Sequence, residues 1–92
     1  MSESNVTSGL PKSKPSEKLQ MRYLQICQNI NDKTRCKLNQ NRFIYKQYIV
    51  TPYYMNYEWV EVHISKNDTR ILVIRDTGNI AKIIDHIKIA IS

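Results

Sequence analysis

The chain has 92 residues, a formal net charge of +6 and two cysteines. That length allows one domain, which buries only about 60–65% of its unfolded surface. The spacing of Cys27 and Cys36 fits neither a zinc knuckle nor a CxxC redox pair, so both read as free thiols. No apolar run reaches the roughly 18 residues of a membrane span, and Met1–Leu10 is polar, unlike a secretory signal; the expectation is an intracellular protein of nucleus or cytoplasm.

The charge is unevenly placed. Residues 1–50 carry nine Lys/Arg against Glu3, Glu17 and Asp32, whereas residues 51–92 balance five basic side chains with five acidic ones. A one-sided positive field favours a polyanion or an acidic protein surface as partner.

In chain order, residues 1–15 hold serines, a glycine, two prolines and almost no apolar side chains, so they cannot offset the entropy of ordering and are expected to be a disordered tail. The domain is expected over 16–92. Ser16 is a plausible N-cap, Glu17 suits the positive end of a helix dipole, and Leu19, Tyr23, Ile26 and Ile30 recur at helical spacing. A helix should therefore run from about Ser16 to Asn29–Asp32, with Lys18, Arg22, Gln25 and Gln28 mostly on its other faces.

Lys33 to Tyr57 is the unusual stretch: five cations, six aromatic rings and no carboxylate. Cations that neutralise phosphates, rings that stack on bases and amides that read base edges are the ingredients of nucleic-acid contact. Its first part, Lys33–Asn41, reads as a loop or weak edge strand with Cys36 and Leu38 inward. Arg42–Val50 reads as one strand of high β propensity with Phe43, Tyr45, Gln47 and Ile49 on one face, ended by Thr51–Pro52 and followed by a connection over Tyr53–Asn56.

Alternation in Tyr57–Ser65 sends Val60, Val62 and Ile64 to the core and leaves Tyr57, Trp59, Glu61 and His63 outside. Lys66–Thr69 suits a hairpin turn. Arg70–Arg75 is a mostly continuous apolar run that suggests a central strand. After the turn and capping residues Asp76–Asn79, Ile80, Ile83, Ile84, Ile87 and Ile91 form an unbroken helical stripe expected to pack on the Val60–Val62–Ile64 face.

The expected fold is thus α+β, a single small α-β-β-β-α domain with a three-stranded antiparallel sheet and helices packed on one face. In layout over residues 16–92 this resembles the double-stranded RNA-binding domain and the small Alu-domain subunits of the signal recognition particle. The former has a Gly-Pro-x-His segment before its second strand and a lysine cluster opening its last helix; here that helix opens Gly78-Asn79-Ile80-Ala81-Lys82, with one lysine.

His63 and His86 lie on separate elements, no nucleophile motif is present, and Gly9 and Gly78 cannot build a phosphate-cradling loop, so the chain does not read as an enzyme. No cofactor, metal, membrane or small-molecule substrate is expected. The favoured reading is a small basic nucleic-acid-binding subunit of a larger complex, RNA before duplex DNA because no major-groove helix is evident. Lys33, Arg35, Lys37, Arg42 and Lys46 would hold phosphates, and Tyr45, Tyr48, Tyr57 and Trp59 would stack on bases. The alternative is a protein-interaction or homodimerising module that uses the aromatic sheet face and an unpaired strand edge.

Overall fold

A computed structural model of the chain describes residues 14–92. The expectation of disorder over residues 1–13 lies outside the described residues. The domain is α+β: helix α1 (Glu17–Lys33), strands β1 (Lys37–Asn39), β2 (Arg42–Tyr45), β3 (Tyr48–Met55), β4 (Trp59–Lys66) and β5 (Thr69–Arg75), then helix α2 (Ile80–Ile91). The strands form one antiparallel meander in the order β1-β2-β3-β4-β5.

Five strands replace the expected three, because β1 pairs as a strand of its own and the expected Arg42–Val50 strand is divided in two. The run from Arg42 to Val50 is not one strand, because Lys46 and Gln47 form a two-residue turn in which Lys46 takes φ 54. Tyr45 and Tyr48 then face each other across a hairpin, and Phe43 pairs with Val50. The turn shifts the alternation by one residue, so Phe43 and Tyr45 share a face with Tyr48 and Val50, and not with Gln47 and Ile49. Neither Lys nor Gln is a usual turn residue, which is why β propensity ran through the turn without marking it.

Pro52 does not end β3 as expected. β2 pairs with β3 only from Tyr48 to Val50, so at Pro52 the missing N–H faces no neighbouring strand on that side. β4 continues alongside as far as Met55, opposite Trp59, and the residues expected to be a connection are strand. The free Pro52 carbonyl accepts a hydrogen bond from the Tyr23 hydroxyl of α1 at 3.2 Å. Short β1 is the weak edge strand of the sequence reading; Cys36 just before it is buried, and Leu38 lies on the same face as Phe43 but is left 59% exposed at the sheet edge.

β4 follows the expected alternation, with Val60, Val62 and Ile64 buried; Tyr57, however, lies in the preceding turn at φ 56. Asn67 and Asp68 both take positive φ, as a type I′ hairpin turn demands. Beyond it β5 is a sheet edge, not the central strand that its apolar run suggested. Ile71 and Val73 stay exposed, and the register slips at Ile64/Ser65 so that Ile71 is the extra residue of a bulge.

Both helices lie on one side of the sheet. The core unites Ile26 and Ile30 of α1, Ile83, Ile84, Ile87 and Ile91 of α2, and Cys36, Phe43, Val50, Val60, Val62, Ile64 and Ile74 from the sheet side. The isoleucine stripe of α2 is therefore buried as its spacing required; only Ile80, at the first turn, is half-exposed. Ser16 caps α1 by accepting from the Leu19 N–H at 3.2 Å, and Asn79 caps α2 by accepting from Lys82 N–H at 3.2 Å. α1 is tied to the β5–α2 connection by Arg22, whose Nε and Nη2 donate to Asp76 at 2.7 and 3.0 Å.

With five strands the layout departs from both RNA-associated folds to which it was likened. What persists is the layering: helices beneath, one sheet face bare.

Candidate nucleic-acid interface

Three of the five cations between Lys33 and Tyr57 gather near the tip of the β2–β3 hairpin. This tip projects beside the C-terminal ends of α1 and α2, and between the three lies a cleft of about 670 Å³. Its walls are Lys33 at the end of α1 with Thr34 and Arg35 after it, Tyr45, Lys46, Gln47 and Tyr48 of the hairpin, and Lys88 and Ile91 of α2 with Ser92 after them. Four cationic side chains thus line it, with no Asp or Glu among them.

Each arrives for a local reason. Lys33 and Lys88 occupy the last turns of their helices, where the negative end of the dipole favours a cation. Lys46 is at the hairpin tip because the turn puts it there, and its ammonium lies 5.3 Å from the centre of the Tyr45 ring. Lys66, opposite Tyr48 in the β3–β4 register, sits 5.5 Å from that ring in the same way. The Arg35 guanidinium, and after it Lys46, stabilise the Tyr45 phenolate and hold its pKa below the ordinary tyrosine value.

The second gathering is on the bare sheet face. Registers across β3, β4 and β5 bring Tyr53 opposite Glu61 and Glu61 opposite Arg75, with His63 one row along between Thr51 and Val73. Glu61 Oε2 accepts from the Trp59 indole N–H at 2.8 Å, Glu61 Oε1 lies 3.2 Å from His63 Nε2, the Tyr53 ring meets His63 edge-on at 4.7 Å, and Arg75 stacks 4.1 Å from the Trp59 ring centre. Donation from Trp59, then from His63, keeps the Glu61 pKa below the usual carboxylate range. Lys37 and Arg42 belong to this face too, since both alternate with inward Phe43 and its register partner Leu38.

The structure therefore divides the nine expected contact residues. Lys33, Arg35, Tyr45, Lys46 and Tyr48 come together in the cleft. Lys37, Arg42 and Trp59 share the opposite, bare face of the sheet, where one face of Trp59 is already taken by Arg75. Tyr57 stands apart, tilted towards Tyr54 at 6.3 Å, while Tyr54 stacks on Tyr23 of α1 at 4.4 Å.

Sequence reasoning missed Lys88, which lines the cleft from 42 positions beyond Lys46, and Lys66 beside Tyr48. No local signal marks Lys88. Tyr48 and Lys66 are joined only by strand register, which the overlooked turn at Lys46 concealed. It also missed Tyr53, His63 and Arg75, whose meeting follows from pairing β5 on β4.

Among the described residues no three His, Cys, Asp or Glu side chains converge as metal ligands do, and no helix is long and apolar enough to cross a membrane. Comparison with family models, curated proteins and solved structures finds no match to this chain.

Proposed function

We propose that the protein is a non-enzymatic nucleic-acid-binding module, with single-stranded RNA favoured, that holds the phosphate backbone in the cleft at the β2–β3 hairpin tip. The observation that carries this reading is the convergence of Lys33, Arg35, Lys46 and Lys88 around Tyr45 and Tyr48 without an acidic side chain. Phosphates supply most of the affinity in such sites, and tyrosine rings add sequence-tolerant stacking. Single strands suit the site better than duplexes, because neither helix presents a basic, groove-filling face: α1 exposes Met21 and Leu24, and α2 exposes Ile89.

Arg35 and Lys46 are the residues whose charge is least explained by local structure, as Lys33 and Lys88 also complement helix ends. If all four contact phosphates, the logarithm of the binding constant falls with the logarithm of salt with a slope of about −3, a loss of about 50-fold between 50 and 200 mM. Replacing Arg35 and Lys46 together by Gln halves the slope and leaves a loss of about sevenfold. Fluorescence polarisation with a labelled single-stranded oligoribonucleotide measures both; a slope near zero, or one unchanged in the double variant, rules the reading out. A role for the chain inside a larger complex belongs to the same proposal, since so small a domain offers a site of only a few nucleotides.

A further inference from the structure

The two edges of the sheet are built differently. β1 is only three residues long, with Lys37 and Asn39 flanking exposed Leu38, and a very short strand carrying a lysine is a usual way of blunting an edge against further pairing. β5 is seven residues long, and its exposed residues include Ile71 at 47% and Val73 at 41%.

The phase of its hydrogen bonds is set by Asp76, whose N–H donates to the Val60 carbonyl at 2.9 Å. In an antiparallel ladder bonded and non-bonded pairs alternate, so Ile74 and Leu72 face β4, and the backbone N–H and C=O groups of Val73 and Arg75 point outward. Beside this open edge runs a groove of about 450 Å³ between β5 and α2. Its floor is apolar, from Leu72, Ile74, Ile83 and Ala90, with Ile89 at its lip 72% exposed. Lys82 and His86 of α2 line it, and Arg75 borders it along β5 while its side chain lies on the bare face against Trp59; no Asp or Glu lines it.

We infer that the β5 edge accepts an extended peptide strand from another protein, one alternating apolar and acidic residues. The outward N–H and C=O groups of Val73 and Arg75 pair with its backbone. Its apolar side chains enter the groove against Ile83, Ile89 and Ala90, and its acidic ones lie on the bare face between Arg70 and Arg75. A strand added this way takes affinity from main-chain pairing and specificity from alternate pockets. The charge pattern selects against a second copy of this chain, because antiparallel self-pairing of β5 would crowd two pairs of Arg70 and Arg75 at one seam. The bulge at Ile71 ends regular pairing, so the incoming strand is short.

The test uses the full chain and fluorescein-labelled heptapeptides of alternating valine and glutamate or of alternating valine and lysine. The acidic peptide should bind about tenfold more tightly than the basic one. Val73→Pro, which removes an outward N–H and is tolerated on an edge, should abolish binding; Ile89→Asp, an exposed position, should weaken it about tenfold with an unchanged melting temperature. Should Val73→Pro fail to fold, Ile89→Asp carries the test alone. No binding up to about 1 mM, equal binding of both peptides, or an Ile89→Asp variant that binds like the parent overturns the inference. So does a sedimenting dimer that Val73→Pro dissociates, which would give the edge to a second copy. RNA binding at the hairpin cleft is read separately, and either result stands without the other.

Discussion

Replacing Asp76 by Asn removes the charge that locks α1 to the turn before α2. In the native chain Asp76 accepts from Arg22 Nε at 2.7 Å, from Arg22 Nη2 at 3.0 Å and from the Gly78 N–H at 2.9 Å. The Asp76 side chain is 8% exposed and that of Arg22 is 27% exposed, so the pair lies between the surface and the interior. Exposed pairs contribute about 0.2–1 kcal/mol, and breaking a buried one costs about 3–5. A loss of about 2 kcal/mol follows, or roughly 8–16 °C in melting temperature for a domain of this size.

The pH dependence identifies the cause. Hydrogen bonding by Arg22 holds the Asp76 pKa below its ordinary value of 3.8. A depressed folded pKa gives stability that is fully present above the unfolded pKa and disappears as pH falls through the folded one. Urea denaturation of the native chain and Asp76→Asn should therefore show a gap of about 2 kcal/mol at pH 7 that narrows as the pH falls towards 3.8 and closes below it, in strong acid. A gap below about 0.5 kcal/mol at pH 7, within the range of exposed pairs, or a gap that persists undiminished in acid, would refute the reasoning.

Other outcomes follow from the same structure. Ile87→Ala empties a fully buried position and should cost about 2–5 kcal/mol, enough to unfold much of the population; a urea midpoint unchanged from the native chain would contradict the packing described. Absorbance titration at alkaline pH should show one tyrosine ionising early, lost in Tyr45→Phe and moved upward in Arg35→Gln, and one ionising late, near pH 12, which is Tyr23 raised chiefly by burial. Lys46→Gly relieves the left-handed backbone of the hairpin tip, so stability should hold or rise by up to about 1 kcal/mol while RNA affinity falls. A variant that loses both would show that Lys46 serves the fold rather than the cleft.

The parts of the fold that could be read from residue order were those carried by one element's own periodicity. The stripes of α1 and α2, the caps Ser16 and Asn79, and the inward set Val60, Val62 and Ile64 needed no partner to be recognised. Of the two strands beyond the expected three, one is the weak edge β1 and the other was hidden by a single residue pair, Lys46-Gln47, whose turn has no Gly or Asn to announce it. A signal existed: aromatic Tyr45 and Tyr48 are three apart, where a continuous strand would place like residues two or four apart, and the apolar alternation changes phase there. The position of β5 was misread because a continuous apolar run describes a strand with two greasy faces, whether covered or not. Pairing order decides that, and α2 covers only one face.

The site was legible in its ingredients and not in its division. Cations and rings from Lys33 to Tyr57 pointed to a polyanion, but the hairpin turn sends Tyr45, Lys46 and Tyr48 to one end of the sheet and leaves Lys37 and Arg42 on its bare face. Lys88 joins the first group from the last turn of α2, a neighbour that only tertiary packing supplies.

The central claim is that the hairpin-tip cleft receives phosphates, and the shift map of the isotopically labelled protein titrated with a single-stranded oligoribonucleotide tests it most directly. Amide signals of Lys33–Arg35, Tyr45–Tyr48 and Lys88 should move together, and the displacement should shrink as salt is raised. Signals that stay fixed, or that move only along β5 and α2, would contradict it.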